Sequence, residues 1–343
     1  MTAPKKYKLA LVGTDSLRAQ EIKRALEAHR FPLAEIEFFD PGVKKEFSKL
    51  TDFGQEPKVI HGLTDDSLEG RDLVFLAADP RTDRRLGLLA EKLGFKVVDL
   101  SEAFNDRSDV PLIVVGVNDA ELDGGGVRIV ANPHPATIIL SHLFKPLVAG
   151  PGIRRAISFI LRPASAFDSS GIDELASQSV SLLGATALTT KVFGQQMAFN
   201  LLSNVGDSGG EGCGRAERQI KAEVGRVLGR PDFPLGVSVI QASQFHTYAI
   251  MSFLELERES GNAELDRLFG ESAFLRRTAS EEPCPVSCVS VTGREEVFIG
   301  RITKEESFPR CFWIWAIADN LTRGSALNAI DIARALLGLD KAS

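Results

Sequence analysis

Residues 129–147 read Ile-Val-Ala-Asn-Pro-His-Pro-Ala-Thr-Ile-Ile-Leu-Ser-His-Leu-Phe-Lys-Pro-Leu. The β-branched opening favours a strand. Asn132-Pro133 ends it, because proline has no N–H for a ladder and pushes its predecessor out of the helical region. The apolar run that follows is long enough for a helix. Strand, tight turn and helix start form a unit that exposes the residue at the turn's tip. Free backbone N–H groups of a helix start stabilise an anion or a developing oxyanion beside it. A nucleophile belongs at such a tip, which makes this stretch the first candidate site.

Upstream, strand and helix patterns alternate. Lys8-Leu9-Ala10-Leu11-Val12-Gly13 reads as a buried strand, and 16–29 carries helical spacing through Leu17, Ile22, Ala25 and Leu26. A second strand over 36–39 stops at Asp40-Pro41-Gly42. Residues 73–78 predict a third strand, 81–93 a helix and 96–100 a fourth strand. This alternation predicts an α/β fold with a doubly wound parallel sheet, a Rossmann-type nucleotide-binding domain. Downstream the order changes to an α+β pattern. It has a strand over 153–161, a helix over 171–183, a Gly/Ser-rich loop over 206–214 and an amphipathic helix over 215–228. A strand pair then begins at 236–240 and runs through 251–255, and a closing helix spans 326–337. The predicted division is 1–131, 132–325 and a closing helix over 326–343.

The chain of 343 residues is 44% hydrophobic and 25% charged, ordinary for a globular protein. A net charge of −6 offers no basic field and argues against nucleic acid as a partner. No stretch supplies the about 18 uninterrupted apolar residues of a membrane span. The opening Met-Thr-Ala-Pro-Lys-Lys-Tyr-Lys enters a strand without an apolar signal region. These features predict a cytoplasmic protein. Cys213, Cys284, Cys288 and Cys311 lack the spacing of a metal site and read as reduced thiols, so no metal is expected.

The segment Asn132-Pro133-His134-Pro135-Ala136-Thr137 resembles the active-site segment of the aspartate-semialdehyde dehydrogenase family, written there Asn-Pro-Asn-Cys-Ser-Thr. The resemblance extends through Asp99-Leu100-Ser101-Glu102-Ala103-Phe104, Val110-Pro111-Leu112, Ala198-Phe199-Asn200, Gly300-Arg301-Ile302 and Asp319-Asn320-Leu321-Thr322-Arg323-Gly324, nearly the full chain. It implies a dinucleotide domain plus a dimerisation domain of the semialdehyde-dehydrogenase type, with the helix over 326–343 returning to the first domain, a homodimer, and NADP or NAD as cofactor. It also places Gly13, Ser16, Leu17 and Asn320 as the cofactor contacts.

The resemblance is close for scaffold residues and departs at the chemistry. The family's thioester-forming cysteine falls at Pro135, which has neither a nucleophilic side chain nor an N–H. The family's first-turn glycines survive at Gly13 and become Ser16 and Ala19. Asp15 either repels a dinucleotide phosphate, or it or Ser16 caps the helix; Arg18 stands where it can compensate. The anion-holding arginine falls at Asn105, with Arg107 two residues away, and a glutamate at Gly116. The orienting glutamine falls at Arg162. Of the family's Glu-Glu-x-Lys only Glu217 is kept, as a substrate contact or a solvated helix charge. The substrate arginine and base histidine fall at Ser243 and Ile250, or, anchored on Phe245, at Gln241 and Tyr248. His134 and His246 are the remaining candidates for proton transfer.

Two functions follow. In the leading one the chain is a dehydrogenase-like dimer without dehydrogenase activity, binding a small metabolite or a protein partner, with NAD(P) held weakly or not at all. In the other it is an NAD(P)-dependent semialdehyde dehydrogenase, acting on an aldehyde or acyl phosphate through a changed active site.

Overall fold

The computed structural model describes residues 5–44, 49–64, 66–123, 126–203, 213–278 and 286–339. The chain divides into two compact units: Met1–Pro133 with Ser325–Ser343, and His134–Gly324.

In the first unit, β1 (Tyr7–Val12) leads into α1 (Leu17–Ala28), whose N-terminus is capped by Ser16. Then follow β2 (Leu33–Asp40), β3 (Lys49–Phe53), β4 (Glu56–Gly62) and β5 (Leu73–Leu76). The helix expected over 81–93 is two pieces, α2 (Pro80–Gly87) and α3 (Ala90–Leu93), separated at Leu88-Leu89. Asp79 caps α2 and Pro80 occupies its first turn, where proline's missing N–H costs nothing. Strands β6 (Lys96–Asp99) and β7 (Ile129–Ala131) complete a sheet of order β3-β4-β2-β1-β5-β6-β7. Its pairs are parallel apart from β3 with β4. The apolar runs of β1 and β5 are buried throughout, as parallel strands covered on both faces must be.

The second unit opens with α4 (Pro135–Ala149), β8 (Ile153–Arg162), α5 (Asp168–Leu183), β9 (Leu201–Ser203) and α6 (Arg215–Val227). It continues with β10 (Leu235–Ala242), β11 (Tyr248–Leu256), α7 (Asn262–Gly270), β12 (Leu275–Arg277), α8 (Cys288–Val291), β13 (Val297–Lys304) and β14 (Cys311–Ala318). Its sheet runs β12-β13-β14-β11-β8-β10-β9. The expected pairing of the 236–240 strand with the 251–255 strand is corrected: β8 lies between them, parallel to β10 and antiparallel to β11. One sheet face packs under α4, α6 and α7 through Ile139, Leu143, Ile220, Val224, Leu265 and Phe269. The last helix, α9 (Leu327–Leu336), belongs to the first unit, where the Asn328 side chain accepts from Val115 N–H (2.9 Å) and donates to Ile113 C=O and Asn132 Oδ1 (both 2.8 Å). No helix among the described residues is long and apolar enough to cross a membrane. Most of the 206–214 loop, and Cys284, lie outside the described residues.

Candidate functional site

The first unit carries the turn between β1 and α1. Gly13 has φ +80°, and a Cβ there would sit 2.4 Å from Ala78 N, so only glycine lets this turn press against the end of β5. Gly13 N–H (2.9 Å) and the Thr14 hydroxyl (3.1 Å) both donate to Phe39 C=O, tying the turn to the end of β2. Ser16 Oγ accepts from Ala19 N–H (3.2 Å) and lies 3.0 Å from Gly13 C=O and 3.1 Å from Ala77 C=O. Its bulk is therefore turned into the protein's own backbone, and Ser16, not Asp15, is the cap. Asp15 is ion-paired with Lys49. The serine thus points inward, and the Asp15 carboxylate beside the turn is compensated. Arg18 donates to Leu100 C=O, and Leu17, half-buried, begins α1.

Beneath this turn lie two buried carboxyl groups. Asp99 accepts from Ser101 N–H (2.9 Å), Ser101 Oγ (2.7 Å) and Phe104 N–H (3.1 Å), which shapes the loop after β6. Asp83 accepts from Ala78 N–H (2.9 Å). Burial, then the charge of Asp99, pushes Asp83 up to about 8, and burial likewise raises Asp99. Asn105 is buried in the same loop, whereas Arg107 is taken up by Asp109 (Nε to Oδ1, 2.9 Å) and by the Phe104 ring. Gly116, with φ +86°, is a turn position.

The second unit carries the tip of the opening stretch. His134 is the N-cap of α4 and Pro135 its first residue. His134 Nδ1 accepts from Ala136 N–H (3.1 Å), so in the neutral ring the proton sits on Nε2. Thr137 N–H and Ile138 N–H both donate to His134 C=O. The free helix-start N–H groups expected here are therefore corrected: Pro135 has none, and the next three are engaged within the turn. Glu223, buried on α6, fixes the tip by accepting from His134 N–H (2.9 Å) and Thr137 Oγ1 (2.8 Å), and Gln219 donates to its other oxygen (2.8 Å). The Tyr248 ring meets His134 edge-on at 5.9 Å.

The segment before Tyr248 is stapled to a second turn. Ala164 N–H donates to Gln244 C=O (2.8 Å) and Ser165 N–H to Phe245 C=O (2.9 Å). Asn320 Oδ1, buried, accepts from Thr247 N–H (3.0 Å) and Ser165 Oγ (3.2 Å). His246 sits in this stapled turn and not on β11, so the question of its strand parity disappears; it is half-buried. The structure thus groups His134, Tyr248, His246, Ser165 and Asn320 in one unit. Arg162 and Gln241 are register partners on β8 and β10, with Arg162 Nε donating to Gln241 Oε1 (2.8 Å).

Glu217 lies on a different duty. It is buried, and its carboxylate accepts from Gly214 N–H (2.7 Å) and Val239 N–H (2.9 Å), so the reading as a solvated charge is corrected: it caps α6 and ties it to β10. Sequence reasoning missed Glu223. Its signal was present in Gln219 and Glu223 one helical turn apart beside Ile220 and Val224. Cys213 is exposed, Cys288 half-buried with its thiol 3.2 Å from Gln244 Oε1, and Cys311 buried; all three are free thiols. Among the described residues no cluster of three or more His, Cys, Asp or Glu is arranged to hold a metal.

Two family models match the chain. The NAD binding domain of semialdehyde dehydrogenase matches residues 8–124, and the semialdehyde dehydrogenase dimerisation domain matches 144–323. Aspartate-semialdehyde dehydrogenase of Rickettsia bellii is 26% identical over 335 residues, covering 97% of this chain and 98% of that one. A Pseudomonas aeruginosa protein named USG-1 protein homolog is also 26% identical, over 330 residues, with 96% and 97% covered. In fold, the chain superposes on aspartate semialdehyde dehydrogenase II from Vibrio cholerae with a TM-score of 0.92 at 21% identity, covering 98% of this chain and 99% of that one.

Proposed function

The chain belongs to the semialdehyde dehydrogenase family, and from that premise we propose that it is an aspartate-semialdehyde-dehydrogenase-like protein that has given up thioester chemistry and acts as a dimeric binding or regulatory protein. The observation that carries this reading is Pro135 as the first residue of α4, at the position onto which the resemblance places the family's cysteine. Covalent catalysis on an aldehyde or acyl phosphate needs a nucleophile there, and proline supplies none. The neighbouring Nδ1 of His134 is committed to capping the helix. The first unit is read as still holding a nicotinamide dinucleotide across the Gly13–Ser16 turn at the start of α1, since Asp15 is compensated by Lys49 and Ser16 faces inward. When bound, such a cofactor supplies a hydride acceptor.

The second reading, an active NAD(P)-dependent semialdehyde dehydrogenase, is favoured by the names of full-length relatives such as that of Rickettsia bellii. A further observation favours it. Aligned without a gap, the family's glutamine position holds Arg162, and in the register anchored on Phe245 its arginine position holds Gln241: the same two side-chain types in exchanged order, hydrogen-bonded to one another.

Assay of phosphate-dependent oxidation of aspartate semialdehyde separates the two. The expectation is no turnover by the wild type and none by Pro135→Cys. A thiol alone lacks the groups that activate it and orient its adduct, and groups that act as a unit lose more than additively. Turnover by the wild type sinks the binding-protein reading. Turnover by Pro135→Cys alone means that the surrounding groups are intact, and His246 is then the residue to replace.

A further inference from the structure

The end of β2 is built differently from the rest of the nucleotide turn. Asp40 closes the strand, and its Oδ1 accepts from Gly42 N–H (2.8 Å), so the carboxylate is fixed by a tight local turn. The residue before it, Phe39, receives Gly13 N–H and the Thr14 hydroxyl at its carbonyl, which sets Asp40 directly beside the β1–α1 turn. Lys49 pairs with Asp15, and the charge of Asp40 also reaches it: these two carboxylates hold its ammonium above the ordinary lysine range. Lys49 is thus engaged by Asp15, and Asp40 adds a second negative charge at this corner. Lys44, exposed, is the other cation nearby in sequence.

In a doubly wound dinucleotide domain, an acidic side chain at the end of the second strand accepts a hydrogen bond from the adenosine ribose 2′-hydroxyl, while a 2′-phosphate calls for arginine or lysine in its place. We infer that the first unit, on the reading proposed above that it holds a dinucleotide, takes the form with a free 2′-hydroxyl and rejects the 2′-phosphorylated form, with Asp40 as the selecting residue. The fixed carboxylate accepts from the hydroxyl. A phosphate in the same place meets that carboxylate with Lys49 already engaged by Asp15, so like charge opposes it.

The test is calorimetric titration of the full chain with NAD and, separately, with NADP, which reads binding and not turnover. NAD should bind on the order of tenfold or more tightly than NADP. Asp40→Asn keeps an acceptor for Gly42 N–H and removes the charge; it should move the affinity ratio toward NADP by about tenfold with the unliganded melting temperature unchanged. Lys49→Gln, which leaves Asp15 uncompensated, should weaken NADP more than NAD. Equal or tighter binding of NADP by the wild type, or an unmoved ratio in Asp40→Asn, overturns the inference while leaving the dinucleotide reading in place. Binding of neither compound removes the dinucleotide reading, and the inference with it.

Discussion

His142 is fully enclosed in the second unit, its ring stacked on Phe274 at 4.6 Å and 20°, with the Arg323 guanidinium 5.2 Å from the same phenyl ring. Among the described residues Nε2 has no hydrogen-bond partner. Burial, then the charge of Arg323, pushes its pKa down to about 3. The folded value lies below the unfolded one, about 6.5. The neutral ring's contribution is therefore complete above that pH and lost as pH falls toward 3. Across that window this one group should remove about 1.4 kcal/mol of stability per pH unit. Urea unfolding of the wild type and His142→Leu between pH 4 and 7 checks it: the variant should show a flatter acid dependence, and parallel curves would refute the assignment. At this scale the sequence was readable where the backbone announces a residue. Asn132-Pro133 marks a turn, so His134 and Pro135 were found. Tyr248 entered only as one of two positions for the family's base, and its contact with His134 from a distant strand had no local signal; His142 reads as one more residue of an apolar helix.

At the scale of elements, acidic residues on the helices depart from periodicity in a consistent way. Periodicity assigns a charge to the solvated face, yet Glu174 on α5, and Glu217 and Glu223 on α6, are buried, each accepting from backbone N–H groups. A carboxylate receiving such donors is stable inside, and no spacing rule foresees which loop will bring them. Glu174 accepts from Val192 N–H (2.7 Å) and Phe193 N–H (3.1 Å), and one turn on, Gln178 accepts from Met197 N–H (2.6 Å) and donates to Thr189 C=O (2.7 Å). Two side chains of one helix thus order the segment after it. Glu174→Ala should cost about 1–3 kcal/mol by orphaning buried donors, and Glu174→Gln less. Hydrogen exchange at Val192 and Phe193 should accelerate in the alanine variant; unchanged protection there would show that the segment is held otherwise. The alternating strands of the first unit were legible because their apolar runs are continuous. Strands β3 and β4 were not, since both are largely exposed and polar.

For the whole molecule, the sheet of the second unit is covered along one face by α4, α6 and α7, while on the other, among the described residues, α8 covers only the end formed by Ala249, Phe298 and Ile317. On this second face, Ile157 and Phe159 of β8 remain 38% and 42% exposed, flanked by half-buried Met251, Phe253 and Trp313. A solvated sheet face should alternate to polar residues, and an apolar patch of this kind marks an interface. With the dimerisation-domain match over 144–323, light scattering at micromolar concentration should report a dimer. Phe159→Arg should give a monomer, since burying one phenyl ring is worth about 1.5–3 kcal/mol and an unpaired charge is costly to bury. A wild-type monomer would count against this use of the face. The other unit is assembled from two separate stretches, Met1–Pro133 and Ser325–Ser343. Tyr7 Oη donates to Leu337 C=O (3.0 Å), and α9 packs on α1 and β6. During synthesis the amino-terminal sheet must therefore wait, its α9-facing surface bare, while the entire intervening unit leaves the ribosome. Loss of α9 alone is consequently a lesion of the half made first, and the apolar surface it covers is open to aggregation throughout that interval.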